Sequence, residues 1–182
     1  MVYTVGHSTH PWDEFVGLLR AHRVTQLADV RRHPGSRKYP HFNASHLAAE
    51  LPKAGIAYLP FVSLGGRRKP RPNSPNGAWR NDSFRGYADY MLTDEFHAAL
   101  SDLERIARRR RTAIMCSESL PWRCHRSLIA DALLARGWDV RDIMTAASAK
   151  PHKLPAWAHV DGTEVTYPAP PDLFTALGRS PA

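Results

Sequence analysis

Cysteine is scarce in this chain, with two residues among 182. So few leave no room for a disulfide framework, and in a reducing compartment the pair reads as free thiols or ligands. Acid is short as well: 17 Asp and Glu stand against 25 Lys and Arg, a formal excess of +8. Most of that excess is arginine, which points to an anionic partner such as nucleic acid, a nucleotide phosphate or an acidic surface. No apolar run approaches the roughly 20 residues that span a bilayer. The opening MVYTVGHSTH enters a strand-like pattern without a charged and then apolar leader. No membrane partner is expected, and the expected location is cytosolic. No internal repeat is visible.

What is present is enough apolar residue, 43% of the chain, to pack one core. The length suits a single domain over residues 1–182 better than two. Val2 to Val5 reads as a strand ending in Gly6, and Pro11 with Asp13 and Glu14 reads as the first turn of a helix running to about Ala21. VTQLADV, residues 24–30, is a second buried strand, so the chain opens as a βαβ unit. A short helix follows over Ser45 to Lys53, then a strand in IAYLPFV. A long loop over about 64–82 carries five basic residues and no acid before Asp82, with three prolines and three glycines, and reads as an irregular excursion.

From about Ser83 to Arg110, apolar residues recur at three- and four-residue intervals and predict one long helix. TAIMC is the next strand, a helix runs from about His125 to Arg136 with Gly137 as its stop, and Trp138 to Met144 is a last parallel strand. Beyond about residue 145 the tail reads as irregular, apart from a small hairpin around Asp161 and Gly162. The expected fold class is α/β: a mostly parallel sheet of about five strands with helices on both faces and a small C-terminal hairpin.

Ligands in such sheets bind beyond the carboxyl ends of the strands. The loops GHSTH, RRHPGSR and SESLPWRCHR all follow strands, so His7, Ser8, Asp29, Arg31, Cys116, Glu118, Cys124, His125 and Arg126 are expected around one cleft. CHR stands at a predicted helix start, where free N–H groups and the helix dipole favour an anion, and Arg126 would add a bidentate contact. Gly6 and Ser8 would hold the same anion. Glu118, Asp29 and His7 are the candidate acids and bases, with ion pairs to arginine as the structural alternative for the two carboxylates.

Cys116 or Cys124 beside a helix start, His125 and Arg126 has the setting of a lowered thiol pKa. Nine residues lie between Cys116 and Arg126, however, which departs from the compact Cys-to-Arg phosphate loop of cysteine phosphatases. No compact CxxC or HxxxH pattern occurs, and adjacent Cys124 and His125 point apart on most backbones, so no metal site is expected. The basic loop, with Arg67, Arg68, Lys69, Arg71 and Arg80, is a candidate nucleic-acid surface, and Trp79 and Phe84 are candidate stacking partners. Tyr87 on the long helix reads either as a core residue or as a ligand contact.

The motifs TVGHST, LADVRRHPGSR, LGG, FRGYADYM and MCSESLPWRCHRSLIADALLARGW, in that order, resemble the domain of unknown function 488 family. The tail PHKLPAWAHVDGTEVTYP extends the likeness over nearly the whole chain. The resemblance implies an α/β fold and names no reaction. Its recurring polar positions fall here on Gly6, His7, Ser8, Asp29, Arg31, Ser36, Gly65 and Gly66. They continue at Arg85, Tyr87, Tyr90, Cys116, Glu118, Cys124, His125 and Arg126. Ser117 stands where the family commonly has alanine, and Asp142 where it often has histidine.

Three functions follow as expectations. The first is an enzyme acting by hydrolysis or group transfer on a phosphate-bearing substrate, a nucleotide or nucleic acid. The second is a cysteine-dependent enzyme or redox sensor, and the third a non-catalytic nucleic-acid-binding module. No cofactor is indicated.

Overall fold

The computed structural model describes residues 1–170. Five parallel strands and one antiparallel edge strand form a sheet in the order β3-β2-β4-β1-β5-β6. The strands are β1 (Val2–Gly6), β2 (Gln26–Asp29), β3 (Ala57–Pro60), β4 (Thr112–Cys116), β5 (Val140–Thr145) and β6 (Ser148–Pro151). The helices are α1 (Trp12–Ala21), α2 (Ala44–Glu50), α3 (Asp82–Met91), α4 (Asp94–Ala107) and α5 (Arg126–Ala135).

Alternation along the central strands sends successive side chains to opposite faces. Ala113 and Met115 of β4 join Tyr3, Val5 and Leu27 in a core with Phe15 and Leu19 of α1 and Leu47 of α2. Ile114 and Cys116 instead join Val2 and Ala28 in a second core with Tyr87, Leu100 and Leu128 of α3, α4 and α5. The central strands are covered on both sides, which is why they read as continuous apolar runs. Cys116 therefore belongs to the α3–α5 side.

Two sequence expectations change and a third holds. The long helix from Ser83 to Arg110 is two helices, because Thr93 leaves helical geometry (φ −103°, ψ 149°) and its hydroxyl accepts the Phe96 N–H. Thr93 is an N-cap, and Asp94 and Glu95 behind it suit the start of a helix. The five expected strands form the parallel part of the sheet, and the tail adds a sixth as β6, antiparallel to β5. The predicted hairpin forms as β7 (His159–Asp161) and β8 (Glu164–Thr166) around Gly162, whose φ of +58° suits glycine.

The basic loop is also not a free excursion. Asp89 of α3, 1% exposed, accepts the Arg71 N–H at 2.8 Å, Ser74 Oγ at 2.6 Å and Asn76 Nδ2 at 2.8 Å. Tyr87 and Tyr90 donate their hydroxyls to the carbonyls of Leu64 and Ser63. Gly86 lets the loop approach, since a Cβ there would sit 2.4 Å from the Arg68 carbonyl. The loop's polar backbone is thus satisfied by the helix beneath it.

The chain leaves β1 toward α1 on one face and leaves neighbouring β4 toward α5 on the other. Such a divergence of connections opens a crevice at the carboxyl ends of the two strands. Gly6 and Cys116 are the paired residues at that point.

Candidate active site

A cleft of about 670 Å³ opens there, lined by the loops after β1, β2, β3 and β4 together with Ser83 and Phe84 of α3. Its floor carries Cys116, Cys124 and His125. The two sulfurs and one imidazole nitrogen lie within 4.8 Å of one another. His125 Nδ1 is 3.9 Å from Cys116 Sγ and 3.8 Å from Cys124 Sγ. The expectation that Cys124 and His125 point apart does not hold, because Cys124 is extended (φ −135°, ψ 142°) and His125 already helical (φ −57°, ψ −18°). That change of backbone at the start of α5 turns both side chains toward the end of β4.

The imidazole is oriented by its surroundings. His125 Nε2 lies 3.0 Å from the Val30 carbonyl oxygen; a carbonyl only accepts, so Nε2 carries a hydrogen. Nδ1 is then the nitrogen left to exchange a proton with the thiols. Tyr87 packs against one side of the ring at 5.0 Å between centroids. Gly66 lies against it too, since a Cβ there would sit 2.9 Å from Nδ1.

The thiols are inequivalent. Cys116 is held well below the usual thiol range, first because the Cys124 thiol donates to its sulfur, which outweighs burial, and then because His125 lies beside it. Cys124 is pushed up by the same hydrogen bond and by burial. Of the two, Cys116 is the thiol that ionises more readily.

Other predicted residues fall into two groups. His7, Ser8, Arg31, Glu118, Cys124 and His125 line the cleft, while Asp29, Gly6, Arg126 and Tyr87 do not. Asp29, 1% exposed, forms a bidentate pair with Arg31 (2.8 and 2.6 Å) and accepts Tyr58 Oη at 2.9 Å. Its carboxylate orients Arg31 and is not presented as a base. Arg31 in turn donates to His7 Nε2 at 3.2 Å while His7 Nδ1 lies 3.0 Å from the Ser8 carbonyl. Burial, reinforced by Arg31, holds His7 down at about 4. His7 is thus a neutral ring with both nitrogens engaged.

Arg126 is a correction to the anion loop read from CHR. It is 1% exposed, and its guanidinium donates to the carbonyls of Glu118 and Ser119, the latter at 2.7 Å, and to Thr4 Oγ1 at 3.4 Å. It shapes the rim loop from below and leaves the cleft to others. Gly6 serves the same loop: a Cβ would lie 1.9 Å from the Glu118 carbonyl oxygen. The N–H groups of His7 and Ser8 donate to Cys116 and Ser117 carbonyls, so neither is free for an anion. Tyr87 is fully buried against Leu64, in the core reading of that residue.

The free positive charge comes from elsewhere on the rim. Arg32, Arg67 and Arg123 line the cleft and are exposed, and their side chains make no hydrogen bond or ion pair among the described residues. Glu118 is the one carboxylate of that lining. Ser8 (φ 47°) and Arg67 (φ 61°), both at the cleft, take left-handed backbone without being glycine, a strain that clusters at functional sites. Of the basic-loop residues only Arg67 reaches the cleft. Arg68 folds back over Tyr90 at 3.5 Å, and Lys69, Arg71 and Arg80 face solvent away from it. Trp79 stacks on Phe84 at 4.7 Å and packs against the α3–α5 core.

A family model for a domain of unknown function, DUF488, matches residues 11–133. The chain belongs to the DUF488 family. The match takes in Cys116, Cys124, His125, Gly66 and Tyr87, so the whole floor of the cleft lies within the DUF488 region. His7, Ser8 and the tail lie outside it. No curated protein and no solved structure matches the chain. Among the described residues no helix is long and apolar enough to cross a membrane.

Proposed function

We propose that this DUF488 protein is a thiol-dependent enzyme in which Cys116 attacks an electrophilic centre of an anionic substrate. The observation that carries this reading is the position of Cys116 Sγ, at the cleft floor beside Cys124 and 3.9 Å from His125 Nδ1. His125 takes the thiol proton, and the Val30 carbonyl stabilises the imidazolium through Nε2. A nucleophile, a base and a group orienting the base are then in place. Cys124 shares its hydrogen with the thiolate.

Charge on the rim supports an anionic substrate. Arg32, Arg67 and Arg123 surround the opening, and they hold a phosphate-bearing molecule without requiring Arg126. Tyr39 and Phe84 on the lining are aromatic rings on which a base can stack, so a nucleotide is the substrate class we favour. Glu118 is the group placed to protonate a leaving group. Asp29 and His7, which the sequence offered as further acids or bases, act as positioning residues for Arg31.

Two alkylating reagents that differ mainly in charge test this directly. Iodoacetate is expected to modify Cys116 faster than neutral iodoacetamide, and the order reverses when Arg67→Gln and Arg123→Gln are combined. Equal preference in the parent and the double variant contradicts an anion-selective thiol site.

A further inference from the structure

Free thiols at a cleft floor are also metal ligands once deprotonated, and the floor here has a third donor. Among the described residues, Cys116, Cys124 and His125 are the one group of three or more such side chains with ligand atoms this close together. A tetrahedral zinc ion, with bonds of about 2.3 Å to sulfur and 2.0–2.1 Å to nitrogen, sets sulfur-to-nitrogen edges of about 3.6 Å. The observed edges are 3.9 and 3.8 Å. On those two edges only a few tenths of an ångström of closure separate the free side chains from a coordination shell, and the sulfur-to-sulfur edge lies within 4.8 Å where such an ion sets about 3.8 Å.

The tautomer favours the same use. With its Nε2 hydrogen on the Val30 carbonyl, the imidazole turns the Nδ1 lone pair to the two sulfurs, the supporting hydrogen bond that metal-bound histidines usually make. Two thiolates and an imidazole select a soft or borderline ion such as zinc over magnesium or calcium. Three protein donors leave a fourth position, and the cleft lies on that side. Open three-donor sets bind an exchangeable ligand, unlike closed structural sites with four.

We propose that this floor binds a divalent ion of the zinc class through Cys116 Sγ, Cys124 Sγ and His125 Nδ1, with water or an anion from the cleft as fourth ligand. The regulatory consequence rests on the thiol reading above: the ion occupies the sulfur that the substrate needs, so zinc silences the thiol reaction and its removal restores it. Binding releases to solvent the hydrogen left on the thiol pair, together with any proton that Nδ1 has taken from it, and no redox change occurs.

Cobalt(II) is the probe, added to the 182-residue chain after reduction and chelation. The expected result is a thiolate-to-cobalt charge-transfer band with intense tetrahedral d–d bands, saturating at one ion per chain and shifting when azide is added. His125→Gln is expected to weaken cobalt affinity by more than about a hundredfold, beyond the upper end for loss of a supporting hydrogen bond. Cys124→Ser should halve the charge-transfer intensity. Circular dichroism checks the fold of each variant, and the parent supplies a second measurement: zinc blocks iodoacetamide modification of Cys116, and chelator restores it.

The failures separate cleanly. If Cys116 alkylates rapidly and cobalt gives no thiolate band, the metal site is overturned while the thiol reading stands. If cobalt binds with these signatures and Cys116 without metal reacts no faster than a peptide thiol, the thiol reading is overturned and with it the regulatory consequence. A band of parent intensity in Cys124→Ser, or an unchanged cobalt affinity in His125→Gln, overturns the ligand assignment.

Discussion

Cys116 Sγ and His125 Nδ1 lie 3.9 Å apart, and the opposite nitrogen of the same ring is 3.0 Å from the Val30 carbonyl oxygen. Three elements thus meet at one imidazole: the ends of β2 and β4 and the start of α5. The remaining polar groups of the rim divide into those that face the cleft and those that hold its walls.

Asp29 belongs to the walls. Its pair with Arg31 is almost fully enclosed, at 1% and 7% exposure, and removing one member of such a pair strands the other charge. Asp29→Ala is expected to cost about 3–5 kcal/mol, read from the midpoint and slope of urea unfolding. Asp29→Asn, which still accepts hydrogen bonds, costs less. A change under 1 kcal/mol for Asp29→Ala would show that Arg31 has another partner.

Gly6 holds the rim by having no side chain. Gly6→Ala pushes a methyl group into the Glu118 carbonyl, and overpacking of this kind costs about 1–3 kcal/mol. Arg126 clamps the same carbonyl, so the loop cannot move freely aside. The variant is expected both to melt earlier and to change the alkylation rate of Cys116. Unchanged reactivity together with lower stability would mean that the loop shift stops short of the sulfur.

His152 makes stability depend on pH. It lies between Asp131 and Asp142, 2.9 Å from each. Burial would lower its pKa, but the hydrogen bonds to the two carboxylates raise it to about 9. The folded value stands above the ordinary value near 6.5, so this stabilisation is fully present below about 6.5 and is lost as pH rises through about 9. Thermal melts are expected to fall between those pH values, and His152→Gln to flatten the slope. The same slope in both proteins contradicts the assignment.

Thr93 gives a control remote from the cleft. Thr93→Ala removes the cap of α4 and should cost about 1 kcal/mol, with alkylation of Cys116 unaltered. A melting temperature equal to the parent's would mean the cap contributes nothing.

The fold was largely legible because central strands covered on both faces appear as short apolar runs, and helices of one chemistry follow them. Two features escaped. Thr93 interrupts a helical period that stays in phase on either side of it, although Thr-Asp-Glu is a readable start signal. The edge strand β6, with the sequence SAKP, has little apolar content to show, because an edge needs only one neighbour.

The site was legible in membership more than in role. Topology placed His7, Ser8, Arg31, Glu118, Cys124 and His125 at one rim, and they line one cleft. It could not say that Arg126 turns inward to backbone carbonyls, since a lone arginine at a helix start has the same sequence signature whether it faces in or out. Nor could it give the orientation of His125, which depends on Val30, Gly66 and Tyr87, residues distant in sequence. Arg32 and Arg123 were missed as cleft residues because nothing distinguishes them from other arginines until the loops are folded.

The most direct test of the central claim is the pH dependence of Cys116 alkylation by iodoacetamide in the metal-free protein, followed by peptide mass spectrometry. Cys116 is predicted to react at pH 6 nearly as fast as at pH 8, with Cys124 unmodified over the same interval. Cys124→Ala and His125→Gln should each move the midpoint up toward the ordinary thiol value near 8.5. A parent Cys116 that titrates at that ordinary value, or that reacts no faster than Cys124, would contradict the thiol site.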